Sequence, residues 1–385
     1  MQFLGYRRPD GKAGIRNHVL ILPTVVCASE VGNVIARRVK GTFSLFHPHG
    51  CAQLAHDADQ TARTLVGIGK NPNVAGVLVI GLGCETVDAD SVASKIAESG
   101  KRVERLIIQN HGGTKKTIEE GAKIARKLIT YANRFRRQKI EIDSLVLGVE
   151  CGGSDACSGI SANPALGVTS DLLIREGGTV ILSETTEMIG AEHLLAKRAI
   201  NRAVGKRILE IVNRMEKRIL NSGLDLLRAN PAPGNIQGGI SSIEEKSLGC
   251  ILKGGTSKVM EVLEYAQPPS RRGLVLMDTP GHDAESIGGL LAGGAQIVAF
   301  TTGRGTPLGS PIAPVIKIAT NSPLYSRMKE NIDINAGEIV TGDRSIQDIG
   351  EKIFKEVLGV ASGKLTKSEI LGHREFAIYR IGPSL

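Results

Sequence analysis

Uninterrupted apolar runs alternate along this chain with stretches whose apolar residues recur every three or four positions. HVLILPTVVC (18–27), VAGVLVIGLGC (74–84) and DSLVLGVEC (143–151) are dominated by Val, Ile and Leu. Runs without polar alternation predict strands buried on both faces, the habit of parallel sheets. VERLIIQ (103–109), TVILSE (179–184), GLVLMDT (273–279) and QIVAFTTGRG (296–305) add further strands. The periodic stretches between them predict helices over 29–40, 57–70, 87–100, 117–138 and 162–178. Further helices are predicted over about 191–222, then over 242–255, 285–295 and 343–363. Ser29 is the expected cap of the first, and Gly100 the expected stop of the third. RANPAPGNIQGGISS (228–242) reads as a loop or domain junction crowded with polar groups. The predicted fold class is α/β, with two Rossmann-like, doubly wound parallel-sheet units. The expected division is an N-terminal α/β domain over 1–138 and a C-terminal α/β catalytic domain with glycine-rich loops over 139–385.

Three of these strands end in a thiol: Cys27, Cys84 and Cys151. Cys51 closes the polar stretch FHPHGC. Ligands of open α/β sheets bind outside the carboxyl ends of the strands, so these four cysteines are candidate metal ligands. Their spacing is not the tight CxxC of a zinc ribbon. Ligands drawn from separate strand ends still suit a mononuclear ion or an iron–sulfur cluster, while buried free cysteine is also a common small hydrophobe. His47 and His49 beside Cys51 strengthen the metal reading. Cys157 and Cys250 lack such a context and read as structural.

Composition narrows the picture. The chain has 385 residues, is 41% hydrophobic, has no Trp and is only 3% aromatic, so its core is aliphatic. No apolar run is long enough to span a membrane, and the polar N-terminus carries no signal peptide. Six cysteines in this length make a poor disulfide framework and fit a reducing, cytoplasmic setting. The net charge of +9 lies mostly on helical stretches, where it reads as a solvated face rather than a nucleic-acid footprint. Abundant Glu, Lys, Arg and Ile suggest a thermophile.

CGGSDACSGISANPALG (151–167) is the strongest cluster. Its glycines admit close approach of a ligand to the backbone, and Ser154, Asp155 and Asn163 are candidate substrate-binding residues. In TTGRGTP (301–307), Thr301, Thr302 and Arg304 suit a carboxylate or phosphate, because Arg offers a bidentate fork. Arg16 and Asn17 in PDGKAGIRN either position substrate or belong to a turn. Glu184 and Glu187 follow a strand end, and Asp283 sits in MDTPGHD beside Asp278; with His47 these are the candidate catalytic groups.

These motifs, in this order, resemble the altronate/galactarate dehydratase family of sugar-acid hydro-lyases. The likeness runs through RPDGKAGIRN, PTVVC, HPHGC, VIGLGCE, ECGGSDACSGISANPALG, SETTE, ANPAPGN, EEKSLG, FTTGRGTP and DINAG. It implies loss of water across a Cα–Cβ bond of an altronate-type aldonate or an aldarate, giving a 2-keto-3-deoxy acid. It implies Fe2+, alone or in a cluster, or another divalent metal, and a homo-oligomer. Sulfolactate sulfo-lyase, which expels sulfite, is a close relative and the alternative within the class; a non-catalytic iron or redox sensor is the alternative outside it. The small β-rich domain that family enzymes carry upstream is expected here as a separate subunit. No nucleic-acid or membrane partner is expected. Asp283 matches the family pattern, whereas His282 and His111 depart from it.

Overall fold

The computed structural model describes residues 1–223 and 230–385. The chain opens with β1 (Gln2–Arg7) and β2 (Ala13–Gly14). β3 (His18–Pro23), β4 (Thr42–Ser44), β5 (Val74–Gly81) and β6 (Arg102–Ile107) then form a parallel sheet in the order β4-β3-β5-β6. β7 (Gln138–Glu141) returns to pair antiparallel with β1. A second, seven-stranded parallel sheet follows. It contains β8 (Val146–Cys151), β9 (Thr179–Leu182), β10 (Val259–Leu263), β11 (Gly273–Met277), β12 (Ile297–Thr302), β13 (Val315–Ala319) and β14 (Ile334–Asn335). Their order is β10-β11-β9-β8-β12-β13-β14. This is the α/β, doubly wound architecture that the apolar runs predict.

The pattern explains the layers. All eight residues of β5 are buried, which requires cover on both faces. On β3 the side chains divide by parity. Val19 and Ile21 join Ile35, Leu106 and Leu128 on one face. Leu20 and Leu22 join Leu65, Ile68 and Ile287 on the other. That second cluster continues into Val298, Phe300 and Val315, so the two sheets share one apolar layer. The Ala55–Lys70 and Asp283–Ala292 helices lie between them and meet at Gly67, where a Cβ would overlap the Ala292 carbonyl.

Two expectations are corrected. The first helix starts at Val26 without a side-chain cap, and Ser29 lies a turn inside it, buried. The long helix over 191–222 is two, Glu192–Lys197 and Arg202–Asn221. Asn201 breaks it: its side chain accepts from Val204 N at 2.9 Å, a better start than a continued turn. Just before it, Ile200 N donates to Val259 O at 2.9 Å, fastening the break to the sheet edge. Of the 228–242 segment, Arg228 and Ala229 fall outside the described residues, and Pro233–Gln237 is a short helix.

Strand order locates two crevices. In the first sheet the chain goes from β3 to β4 on one side and to β5 on the other. In the second it goes from β8 to β9 on one side and later to β12 on the other. The gaps outside β3/β5 and β8/β12 are the topological switch points, where such sheets bind ligands.

Candidate active site

The β8/β12 crevice collects buried charge. Glu150 and Cys151 end β8, Glu184 and Glu187 follow β9, Asp283 starts the helix after β11, and Thr301 and Thr302 end β12. Lys246 comes from the Ile243–Cys250 helix and Lys253 from the turn after it.

Lys253 and Glu184 form an ion pair with side chains 0% and 1% exposed. Glu184 also accepts from Cys151 N at 2.9 Å and lies 3.7 Å from the Cys151 thiol. Its backbone is left-handed, φ 68°, which is strained for a residue with a Cβ. Thr279 holds that geometry by accepting from Glu184 N at 2.7 Å. Burial alone would lower the Lys253 ammonium; the Cys151 and Cys250 thiols and the Glu184 and Glu150 carboxyls reverse that and raise it.

Lys246 forms the second pair. Its ammonium reaches Glu187 at 3.0 Å, Asn230 Oδ1 at 2.8 Å and Asn235 Oδ1 at 3.1 Å. Burial pushes Glu187 up, and Glu187 in turn pushes Lys246 up. The pair stays ionised at neutral pH, since a lysine starts about six units above a carboxyl. Glu150 takes hydroxyls from Ser183 and Ser286, each at 2.7 Å. Burial, then the nearby Glu184 charge, holds it well above the usual carboxylate range, and its Oε1 is buried without a partner among the described residues. Burial and Glu184 push Asp283 up to about 7. Among the described residues Asp283 has no hydrogen-bonding partner, and its carboxylate rests on Gly152, where a Cβ would lie 2.5 Å from Oδ2.

Cys151, Glu184 and Cys250 place their donor atoms within 4.8 Å of one another, a group that could hold a metal ion by donor type and spacing. Without an ion, the Lys253 ammonium sits on Glu184, and hydrogen bonding to Cys250 with burial raises the Cys151 thiol. An ion held here would take the place of that ammonium and bind the thiols as thiolates.

The other expected residues separate into three sets. Ser154, Asp155, Asn163, Thr301, Thr302 and Arg304 do converge at this edge. Asp155 is taken up by Ser158, Thr320 and Asn321 at 2.9 Å each. Asn163 bridges Thr301 Oγ1 (2.6 Å) and Gly249 O (3.0 Å), and Thr302 Oγ1 accepts from Gly305 N at 2.9 Å. These four tie the loops, while the Arg304 guanidinium is exposed at the rim and Ser154 lines a cavity of about 250 Å³ with Lys246 and Glu245. Arg16 and Asn17 are elsewhere and structural. Arg16 grips both oxygens of Glu369 at 2.7 and 2.8 Å and spends its other donors on carbonyls. Asn17 bridges Arg8 and the Ala132 carbonyl. His47 lies on the first sheet, with Nε2 on Pro23 O at 2.9 Å and Nδ1 accepting from His49 N at 3.3 Å. Burial lowers its pKa to about 4, so it is a neutral brace remote from Asp283's crevice. Cys27, Cys51 and Cys84 are exposed and belong to that same first sheet, apart from buried Cys151.

Sequence reasoning missed Lys246, Lys253, Glu150 and Cys250. A signal existed for Lys253: in GCILKGG a lone charge follows an apolar run, three residues after Cys250 and thus on its helix face. A cavity of about 670 Å³, lined by Lys12, Arg63, Lys95 and Arg272 among others, contains none of these groups.

Comparison with known proteins identifies the family. Residues 142–384 match the family model of the D-galactarate/altronate dehydratase C-terminal region, and residues 5–133 that of the D-galactarate dehydratase/altronate hydrolase second domain. An altronate dehydratase of Bacillus subtilis is 38% identical over 100% of this chain and 78% of its own length. A galactarate dehydratase (L-threo-forming) of Escherichia coli is 40% identical over 99% of this chain and 77% of its own. The beta subunit of a (2R)-sulfolactate sulfo-lyase from Chromohalobacter salexigens is 38% identical over 98% of this chain and 97% of its own.

Proposed function

The chain belongs to the D-galactarate/altronate dehydratase family, and on that premise we propose that it removes water from an altronate-type aldonate or an aldarate to give a 2-keto-3-deoxy acid. Its membership makes it a hydro-lyase. The choice of substrate and product is our reading, and one observation supports it most. Four carboxyl groups and two lysines meet at the β8/β12 crevice, and only Asp283 among the carboxyls is free of a partner and poised near neutral pH.

The elimination needs a base at Cα, positive charge around the carboxylate, and an acid for the departing hydroxyl. Asp283 takes the Cα proton, a task for which a pKa near the working pH is best. Arg304 at the rim holds the substrate carboxylate bidentately. Lys246, fixed by three oxygens, faces the charge that builds on that carboxylate as the Cα–H bond breaks. The Cβ–OH bond breaks with a proton from the Glu187–Lys246 relay, and water leaves. The resulting enol takes a proton at Cβ and becomes the 2-keto acid.

Metal dependence, with Fe2+ first, belongs to the same proposal; Cys151, Glu184 and Cys250 are the residues that would hold the ion. A separate small subunit is also proposed, because a relative that matches nearly end to end is named a beta subunit. That relative favours a second reading, release of sulfite from sulfolactate. Anaerobic assay of the chain with ferrous iron against aldonates, aldarates and sulfolactate separates the two. Keto acid without sulfite from one sugar acid supports the proposal; sulfite selects the second reading; no product from any substrate with the partner subunit present refutes both. Arg304→Ala should then raise KM at least tenfold, and unchanged kinetics would remove Arg304 from the site.

A further inference from the structure

The cavity of about 670 Å³ lies at the opposite ends of the strands that carry the catalytic crevice. Val146 and Thr179, the first residues of β8 and β9, line it. So do Arg272, just before β11, and Gln296, just before β12. The Asp283–Ala292 helix offers Asp283 to the crevice at one end and Ala292 to the cavity at the other. Ten residues of helix are about 15 Å long, so the two places are distinct. Ligands of the reaction belong at the carboxyl ends of these strands, not here.

The lining is of two kinds. Val66, Val146, Ala266, Pro268, Pro269 and Ala292 supply an apolar wall. Lys12, Arg63, Lys70, Lys95, Arg271 and Arg272 bring six cations, against the two acids Asp59 and Asp143. Some of this charge is already committed. Glu98 takes Lys70 at 2.9 Å, and Asp143 takes Arg272 at 2.7 Å. Among the described residues Arg63 uses one side-chain donor, Nε on Tyr265 O at 2.9 Å, and Lys95 and Arg271 form no ion pair. Three cations therefore border the cavity with donors to spare.

The frame around them is fixed. The Glu261 carboxylate accepts from Ser270 N at 2.9 Å, Ser270 Oγ at 2.8 Å and Arg271 N at 3.3 Å, which pins the loop that carries Arg271. Asn71 donates to Leu291 O at 2.8 Å and Ala295 O at 2.9 Å, joining the end of one lining helix to the end of the other. Between them Gly294 turns with φ 100°, and a Cβ there would meet nothing within 4 Å. The cavity is thus held open by the fold, and its volume is that of a metabolite site, commonly about 300–1,000 Å³.

An apolar wall beside several uncommitted cations recognises a molecule with an apolar body and more than one negative charge. We propose that this cavity binds a nucleotide, with the base against the proline and aliphatic wall and the phosphates on Arg63, Lys95 and Arg271. The proposal is independent of which acid the β8/β12 crevice processes, since its readout is binding.

The test is calorimetric titration of the full chain, at physiological salt, with ATP, adenosine and inorganic pyrophosphate. ATP should bind at one site with Kd below about 1 mM. Adenosine lacks the charge and pyrophosphate the apolar body, so each should bind at least about tenfold more weakly. Arg63→Gln/Arg271→Gln should weaken ATP binding at least about tenfold, and Lys95→Gln alone by a smaller factor. Melting of these variants should stay native, since all three side chains are exposed. Lys115→Gln, an exposed cation outside the cavity, and Arg304→Ala, at the crevice rim, should leave ATP affinity unchanged. No heat with ATP, or adenosine or pyrophosphate binding as tightly as ATP, would overturn the proposal. So would full affinity in Arg63→Gln/Arg271→Gln, or a loss in Arg304→Ala.

Discussion

Removing the Lys253 ammonium while Glu184 remains leaves a carboxylate that is 1% exposed and has lost its cation. Breaking a buried ion pair from one side costs about 3–5 kcal/mol, because the surviving charge cannot regain water. Lys253→Met should therefore destabilise the chain by about that much, a fifth or more of the 5–15 kcal/mol typical of a folded domain. In thermal unfolding the shift is about 2–4 °C per kcal/mol for a unit of this size, so about 6–20 °C in all. Glu184→Gln should cost a similar amount, since it strands the ammonium instead. The double variant Lys253→Met/Glu184→Gln removes both charges, keeps an oxygen for Cys151 N, and should recover at least half of either loss. Denaturant titration of the four proteins gives the coupling energy directly. Losses that simply add, or a Lys253→Met protein within 1 kcal/mol of wild type, would show that the pair is not the buried, mutually dependent unit described.

Asp283→Asn should lower turnover about 10²–10⁴-fold, the usual contribution of a general base. Because the base acts ionised and its pKa is pushed up to about 7, wild-type kcat/KM should rise with pH through about 7 and level off above it; a flat profile from acid to alkaline would exclude Asp283. The same raised pKa means that ionising Asp283 opposes folding as pH climbs from its unfolded value to about 7. Asp283→Asn should thus be more stable than wild type at pH 8 and no different at pH 3, as paired melts would reveal. Gly152→Ala puts a methyl 2.5 Å from Asp283 Oδ2 and 2.7 Å from the buried Phe300 ring, and should cut kcat at least tenfold while costing about 1–3 kcal/mol of stability; full activity would mean that the carboxylate is free to move. Arg16→Met should cost about 1–3 kcal/mol by removing the donors to partly buried Glu369 and to three carbonyls, yet leave KM at the wild-type value, and a raised KM would return Arg16 to the substrate site.

What the sequence revealed of the fold follows from how strands are buried. β3, β5, β8, β9, β11 and β12 are continuous aliphatic runs because helices cover both their faces, and each was readable. β4 is three residues, and β10 mixes Met and Glu with Val at a sheet edge, so neither carries that signature. The carboxyls of the site were readable for a related reason: Glu184 and Glu187 follow a strand end, and the crevice lies at strand ends. Lys246 and Lys253 were not, because they reach the crevice from a helix nearly a hundred residues past β8, and a lysine on a helix ordinarily reads as a solvated face. Arg16 failed in the opposite direction. A conspicuous Arg–Asn pair in a glycine-rich turn looks like a ligand site until each donor is traced to an internal acceptor. The three strand-end thiols and Cys51 read as one set, since sequence cannot say which sheet a strand joins. The structure divides them by sheet, three on the first and Cys151 on the second.

The poise of Asp283 follows from the charges around it. Two ammonium groups enter the crevice, and four carboxyls await them. Lys253 is committed to Glu184 and Lys246 to Glu187, each at contact distance. Glu150, deeper still, takes two serine hydroxyls on Oε2 and is held well above the usual carboxylate range. Asp283 is then the one carboxyl left with neither a cation nor a hydrogen-bond donor, close to the Glu184 charge and partly withdrawn from water. Those two influences raise its pKa to near 7. Opposed by no paired cation of its own, the carboxylate is basic enough to accept a proton and still substantially ionised at neutral pH. The pairs around it are therefore more than structural: by consuming both lysines they keep Asp283 uncompensated, and a base for a weakly acidic Cα–H requires that condition.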